Sequence, residues 1–224
     1  PICSITSLPR NKLITGHKDG FILIWNMESN KLIKIKSHSS PVTALAVDYF
    51  GNIYSWGSDQ RLKHWNLKKG WVQEVNTKNE IISYLKIYPQ GRIMALSEKI
   101  LINNKTKKSR YKQKIKIIDL PDKSSYVFSL PFRVNSASIN VYYDGRIISG
   151  LSAENKTKHN LVVLTPGIKT CKYKFLEGHA QETRDCLCMG PKIISCGKEK
   201  ENIHTVRIWG TEFYVRTQVS KLSC

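Results

Sequence analysis

His38, Ser55 and Asp59 are the residue types of a nucleophile, its base and the group that orients the base. One common way to present such a serine is a sharp strand-to-helix turn. The G-x-S-x-G elbow that supplies one is missing around Ser55, which lies in Ile53-Tyr54-Ser55-Trp56-Gly57. The three positions follow a rhythm of strands and turns instead. His38 precedes an apolar run, Ser55 lies inside the next run, and Asp59 sits in the turn after it. A structural role is the expectation for all three. Cys186 and Cys188, with His179, Cys196 and His204 nearby in sequence, suggest a metal. Structural zinc, however, favours C-x₂₋₄-C pairs in turns, whereas residues two apart on a strand share a face. These cysteines are read as strand residues, with no metal. Phosphate-loop, dinucleotide and HExxH motifs do not occur. No cofactor, no catalytic residue and no enzymatic activity are expected.

The charge balance points to partners. Lys and Arg number 36 against 17 Asp and Glu, a formal charge of +19. A field of that sign favours phosphate-rich or acidic partners and speeds encounter with them. Hydrophobic residues make up 41% of the 224, enough for a packed core. No apolar run approaches the roughly 20 residues of a membrane-spanning helix, and PICSITSLPR is not a secretory start. The chain opens on Pro1 rather than Met and is read as a piece of a longer protein. The six cysteines are irregularly spaced, as free thiols in a reducing compartment would be. A cytoplasmic or nuclear location is expected, so the two Asn-x-Thr sequons, at Asn104 and Asn155, are taken as chance.

Short runs rich in Ile, Val, Leu and Tyr recur between Gly, Asn, Asp and Ser, with no sustained 3.6-residue period. The chain is expected to be all-β. FILIWN (21–26) and RLKHWN (61–66) both end on Trp-Asn, 40 residues apart, and self-similarity at that period marks a repeat architecture. The clearest repeat places four strands, a to d, at 42–47, 53–56, 61–65 and 71–75. Here the chain resembles the WD40 repeat family of β-propellers. The matching residues are Ser37-His38 at the entry to strand a, Gly57-Ser58-Asp59 in the b–c turn and Trp65-Asn66 closing strand c.

The resemblance extends over five blades, at about 1–36, 37–76, 77–130, 131–177 and 178–220, within one domain spanning 1–224. Trp25, Trp65 and Trp209 mark three of them; Ile118 and Leu164 take the Trp position in the other two. The expected architecture is a β-propeller of four-stranded antiparallel blades. An incomplete ring cut from a larger protein is the first reading, and a five-bladed ring the alternative. The family likeness implies a hydrogen-bonded tetrad of His38, Ser55, Asp59 and Trp65, which satisfies polar groups that are costly to bury alone. In the first blade Asp19 and Trp25 are structural. Gly16-His17 falls in the b–c turn, so His17 is not given the tetrad role. In the last blade Gly178-His179, Ser195 and Trp209 match. Its turn, Gly197-Lys198-Glu199, lacks a clear Asp, so that tetrad is expected to be incomplete.

Propellers of this family are expected to bind through their loops. Long b–c connections at 103–114, 152–160 and 197–204 would put basic loops of three blades on one rim. Lys105, Lys107, Lys108, Arg110, Tyr111, Lys112 and Lys114 are the candidate partner-binding residues. The first functional reading is a non-catalytic scaffold or adaptor that binds other proteins, acidic or phosphorylated ones above all. The second is a phosphate-binding module for nucleic acid or anionic lipid. The third is the propeller appendage of a multidomain enzyme such as a ubiquitin ligase. The Trp-Asp-x-Arg signature of one ligase class is not matched by Trp25-Asn26-Met27-Glu28 or Trp65-Asn66-Leu67-Lys68. Phe132-Arg133-Val134-Asn135 does not match the Phe-Arg-Arg-Gly of phosphoinositide-binding propellers.

Overall fold

A computed structural model describes residues 1–76, 81–102, 109–120, 124–135, 138–151, 161–167, 170–176, 179, 182–189, 192–200, 203–210 and 215–216. They form five four-stranded antiparallel sheets, each with its strands in chain order. Blade one holds β1 (Ile2–Leu8), β2 (Lys12–His17), β3 (Phe21–Asn26) and β4 (Lys31–Lys36). Blade two holds β5 (Val42–Val47), β6 (Ile53–Gly57), β7 (Arg61–Asn66) and β8 (Gly70–Asn76). Blade three holds β9 (Ile81–Tyr88), β10 (Arg92–Ile102), β11 (Ser109–Ile118) and β12 (Ser125–Ser129). Blade four holds β13 (Asn140–Val141), β14 (Ile147–Gly150), β15 (Leu161–Pro166) and β16 (Cys171–Leu176). Blade five holds β17 (Glu182–Met189), β18 (Lys192–Lys200), β19 (Ile203–Trp209) and β20 (Val215–Arg216).

The repeat mark is a register mark. Trp25 pairs with Leu13, Trp65 with Ile53, and Trp209 with Ile193. Ile118 pairs with Ile93 and Leu164 with Ile147 in the same way. One of the last three residues of strand c therefore faces the apolar start of strand b in every blade. That ladder survives loss of the indole because cross-strand apolar contact, and not the ring, holds it.

Two compact units result, Pro1–Val127 and Phe128–Cys224. In the first, β1, β5 and β9 are neighbours and line a cavity of about 390 Å³. Alternation gives a sheet two faces, and the apolar ones bury against a neighbouring blade of the same unit. Ile14, Ile22 and Ile24 of blade one pack with Val42, Leu45 and Ile53 of blade two, and half-buried Trp65 lies against them. The opposite face of blade two gives Tyr54, Trp56 and Leu62 to blade three's Leu85, Ile93 and Ile118. In the second unit Ile148, Leu161 and Val163 pack with Cys186, Ile193 and Trp209.

Described parts of two of the expected loops are strands; 103–108 lie outside the described residues. Residues 109–114 belong to β11, which pairs with β10 out to Ile102↔Ser109, whereas β9 ends opposite Glu98. Blade three thus extends a two-stranded ribbon beyond its sheet. The reason lies in the sequence: Gln113, Ile115 and Ile117 are buried on one face, alternating with Lys112, Lys114 and Lys116 on the other. Lysine-rich composition reads as loop, but the period of two makes it strand. Residues 197–204 likewise fall in β18 and β19, joined by Gly197↔Thr205 and Lys198↔His204, apart from 201–202, which lie outside the described residues. The connection at 152–160 also lies outside them.

Candidate functional site

In blade two, four side chains from four points of the chain meet. His38 enters just before β5, Ser55 sits in the middle of β6, Asp59 lies in the turn after it, and Trp65 is near the end of β7. The His38 Nδ1–H donates to the Asp59 carboxylate at 2.9 and 3.1 Å. His38 Nε2 then accepts from the Ser55 hydroxyl at 2.9 Å, and Ser55 Oγ accepts from the Trp65 indole N–H at 3.2 Å. Ser37 Oγ lies 3.1 Å from the same oxygen. Asp59 also accepts from the Ser39 backbone N–H, which ties the turn to the entry of strand a. Gly57 is required beside this network, since a Cβ there would stand 2.5 Å from His38 Nδ1 and 2.6 Å from Asp59 Oδ1.

Burial holds the His38 imidazole below its ordinary pKa, against the opposing pull of Asp59. Burial alone would raise the Asp59 carboxyl, but the Ser39 N–H and the imidazole bring it below the usual carboxylate range. A neutral imidazole beside an ionised carboxylate fits the tautomer the hydrogen bonds need. The connectivity is that of a serine nucleophile, a histidine base and an aspartate. Yet Ser55 is 0% and His38 1% exposed, and the serine hydroxyl is already engaged by His38, Trp65 and Ser37. No substrate atom reaches it, so the cluster ties three strands and a turn together.

The other blades keep parts of this arrangement. In blade five His179 Nε2 lies 3.0 Å from Ser195 Oγ, which accepts from the Trp209 indole N–H at 3.0 Å. The place of the missing aspartate is filled by Thr205, whose hydroxyl lies 2.9 Å from His179 Nδ1. Sequence reasoning missed it by searching the turn. Strand β18 runs on to Lys200, carrying the turn away from the network, so a residue of β19 takes over. Its pairing with Gly197, the counterpart of Gly57, was the available signal. Gly178 lies outside the described residues.

In blade one Thr15 occupies the serine position and accepts from the Trp25 indole N–H at 3.0 Å. His17, not given this role from sequence, lies 2.8 Å from the Thr15 hydroxyl and joins the network from within β2 rather than from the entry to strand a. Asp19 accepts from the Phe21 backbone N–H at 3.3 Å, closing its own turn. Blade three has Ala95 at the serine position and Ile118 at the Trp position, so both polar partners are replaced together. Blade four keeps Ser149, which donates to the Asn135 and Gly150 carbonyls instead.

The candidate binding residues divide. Lys105, Lys107 and Lys108 lie outside the described residues. Arg110, Tyr111, Lys112 and Lys114 are on β11; Lys112 is exposed and Lys114 half-buried, and no side-chain description covers Arg110 or Tyr111. Among the described residues no group of three or more His, Cys, Asp or Glu is placed to hold a metal ion. Cys186 is buried and Cys188 packs against the same cluster, as core residues of β17. No helix among the described residues is long and apolar enough to cross a membrane.

The fold is that of solved WD40 structures. The fold overlays U3-55K with a TM-score of 0.60 at 16% identity, over 89% of this chain and 59% of that one. It overlays the Cps50 (Swd1) β-propeller domain of Myceliophteria thermophila at 0.65 and 13% identity, over 98% and 70%. For the RRP9 WD40 repeats the values are 0.57 and 16%, over 95% and 62%. At such identities the likeness is one of fold, and it makes this an all-β chain of WD40-type propeller blades. No protein-family model matches. Among curated proteins, a p21-activated protein kinase-interacting protein 1-like protein of Gallus gallus is 33% identical over 81 residues, 35% of this chain. The kinesin-like protein KIF21B of Mus musculus is 34% identical over 71 residues, 31% of this chain. The matches span only 22% and 4% of those two proteins.

Proposed function

We propose that this chain is a non-catalytic protein-interaction module that takes acidic or phosphorylated segments of other proteins on the ribbon of blade three. The observation that carries the reading is the register of that ribbon. It sets Lys112 opposite Lys99, beyond the last residue of β10 that β9 covers. Lys112 is exposed there, so its charge is open to an anionic ligand. The formal charge of +19 draws such ligands from a distance. One relative is itself named as a kinase-interacting protein. The buried state of Ser55 and His38 supports a binding role over a catalytic one.

The same charge supports a second reading, a nucleic-acid or anionic-membrane module. One experiment separates them. A fluorescein-labelled peptide rich in phosphoserine and glutamate, a single-stranded oligonucleotide, and phosphatidylserine vesicles are titrated against wild type and Lys112→Glu/Lys114→Glu. The peptide should bind and lose at least about tenfold in the variant, about 1.4 kcal/mol. Tighter binding of the oligonucleotide or vesicles, collapsing between about 50 and 200 mM salt, replaces the first reading with the second. Unchanged peptide binding in the variant removes the ribbon from both.

A further inference from the structure

The second site lies at the other end of the strands. In an antiparallel blade the a–b and c–d turns share the end opposite the b–c turn. There, blades one and two enclose a cleft of about 490 Å³, within the roughly 300–1,000 Å³ of ligand pockets. We propose that this cleft docks an extended acidic peptide segment of another protein through one apolar side chain, a surface distinct from the blade-three ribbon.

Its walls are apolar and cationic together. Leu8, Pro9 and Leu67 line it beside Arg10, Lys12 and Lys68, and no carboxylate is among the lining residues. The nearby acids are engaged. Asp48 accepts from the Asn52 backbone N–H at 2.8 Å, from Asn52 Nδ2 at 2.7 Å and from the Tyr54 hydroxyl at 3.1 Å. Glu28 accepts from Asn11 Nδ2 at 2.8 Å. Trp-Asn contributes here as well. Asn66 Oδ1 accepts from the Lys68 and Lys69 backbone N–H groups, which fixes the c–d turn without adding a negative charge. Its Nδ2 donates to Asn52 Oδ1 at 2.7 Å, which locks that turn to the a–b turn beside it.

On the rim stand two large rings that folding leaves in water. Tyr49 is 91% and Phe50 87% exposed, and they meet edge to face at 5.9 Å and 82°. Their turn is held rigid: Asp48 N donates to the Asn52 carbonyl at 3.0 Å, and Gly51 N, at a φ of 85°, to the Asp48 carbonyl at 3.1 Å. Aromatic anchors on a fixed turn lose little entropy on binding, and such residues dominate interface energies. The charge of the lining selects an acidic partner. The perpendicular rings do not form the parallel platform on which successive bases stack, whereas Leu8, Pro9 and Leu67 suit an aliphatic or benzyl side chain. A peptide is therefore the occupant.

The test uses a fluorescein-labelled peptide Glu-Asp-Glu-Leu-Phe-Asp-Glu-Asp read by fluorescence anisotropy. Its two controls replace Leu-Phe by Ser-Ser, or every acid by its amide. The peptide should bind better than both controls. Tyr49→Ser/Phe50→Ser and Lys12→Glu/Lys68→Glu should each weaken it about tenfold or more, with melting temperatures unchanged. In Lys112→Glu/Lys114→Glu the peptide should still bind better than its Ser-Ser control, so failure of the ribbon reading leaves this one standing. Equal binding of peptide and controls overturns the proposal. So does undiminished binding by the correctly folded cleft variants, or tighter binding of oligouridine than of the peptide.

Discussion

Ser55→Ala tests whether the buried network of blade two stabilises the fold as its geometry requires. The substitution removes one oxygen and with it three contacts: His38 Nε2 at 2.9 Å, Trp65 Nε1 at 3.2 Å and Ser37 Oγ at 3.1 Å. Trp65 is half-buried, so water can meet part of its need. His38 and Ser37 are buried, and each left without that partner costs about 1–3 kcal/mol. The expected loss is about 2–6 kcal/mol, which at roughly 3 °C per kcal/mol lowers the melting temperature by about 6 °C or more. Ser149→Ala, at the matching position of blade four, is the control. Ser149 donates to carbonyls that also accept elsewhere: Gly150 O from Asn135 N at 2.8 Å, and Asn135 O from Ser138 N at 3.1 Å. Its loss should be about 1 kcal/mol or less. Urea and thermal unfolding, followed by circular dichroism, measure both. Equal losses at the two positions would refute the reasoning, because both serines are fully buried and only their partners differ.

Acidification should destabilise the chain in a window set by histidine. Burial depresses His38 and His64 below the ordinary 6.5, so the unfolded chain takes up protons first and stability falls as pH drops below about 6.5. Asp59, held below 3.8, loses its share only at lower pH. A urea midpoint as high at pH 5.5 as at pH 7.5 would contradict this. Thr205→Val removes the hydroxyl beside His179 Nδ1 and should cost about 1–3 kcal/mol, whereas Thr205→Ser should stay within about 0.5–1 kcal/mol of wild type. If valine unfolds at the wild-type urea concentration, Thr205 does not act in the aspartate's place.

What local chemistry governs was legible in the chain itself. Apolar alternation, turn residues and the 40-residue recurrence of Trp-Asn gave the strands and their order, down to Ile118 and Leu164 standing in for tryptophan. These patterns depend on neighbours within a few residues, so they are written in sequence. The lysine alternation at 109–116 was equally local; it was hidden by composition, since charge and strand period occupy the same residues. What required the tertiary structure were partnerships between distant positions. Thr205 serves His179, 26 residues before it, because a longer hairpin moves the turn. The Tyr49 and Phe50 rings flank a cationic cleft only once blade one stands beside blade two. Trp-Asn thus carries two kinds of information. Trp marks the ladder, which the chain order already specifies. Asn66 closes a cleft wall, a role that exists only after two turns from different strands have met.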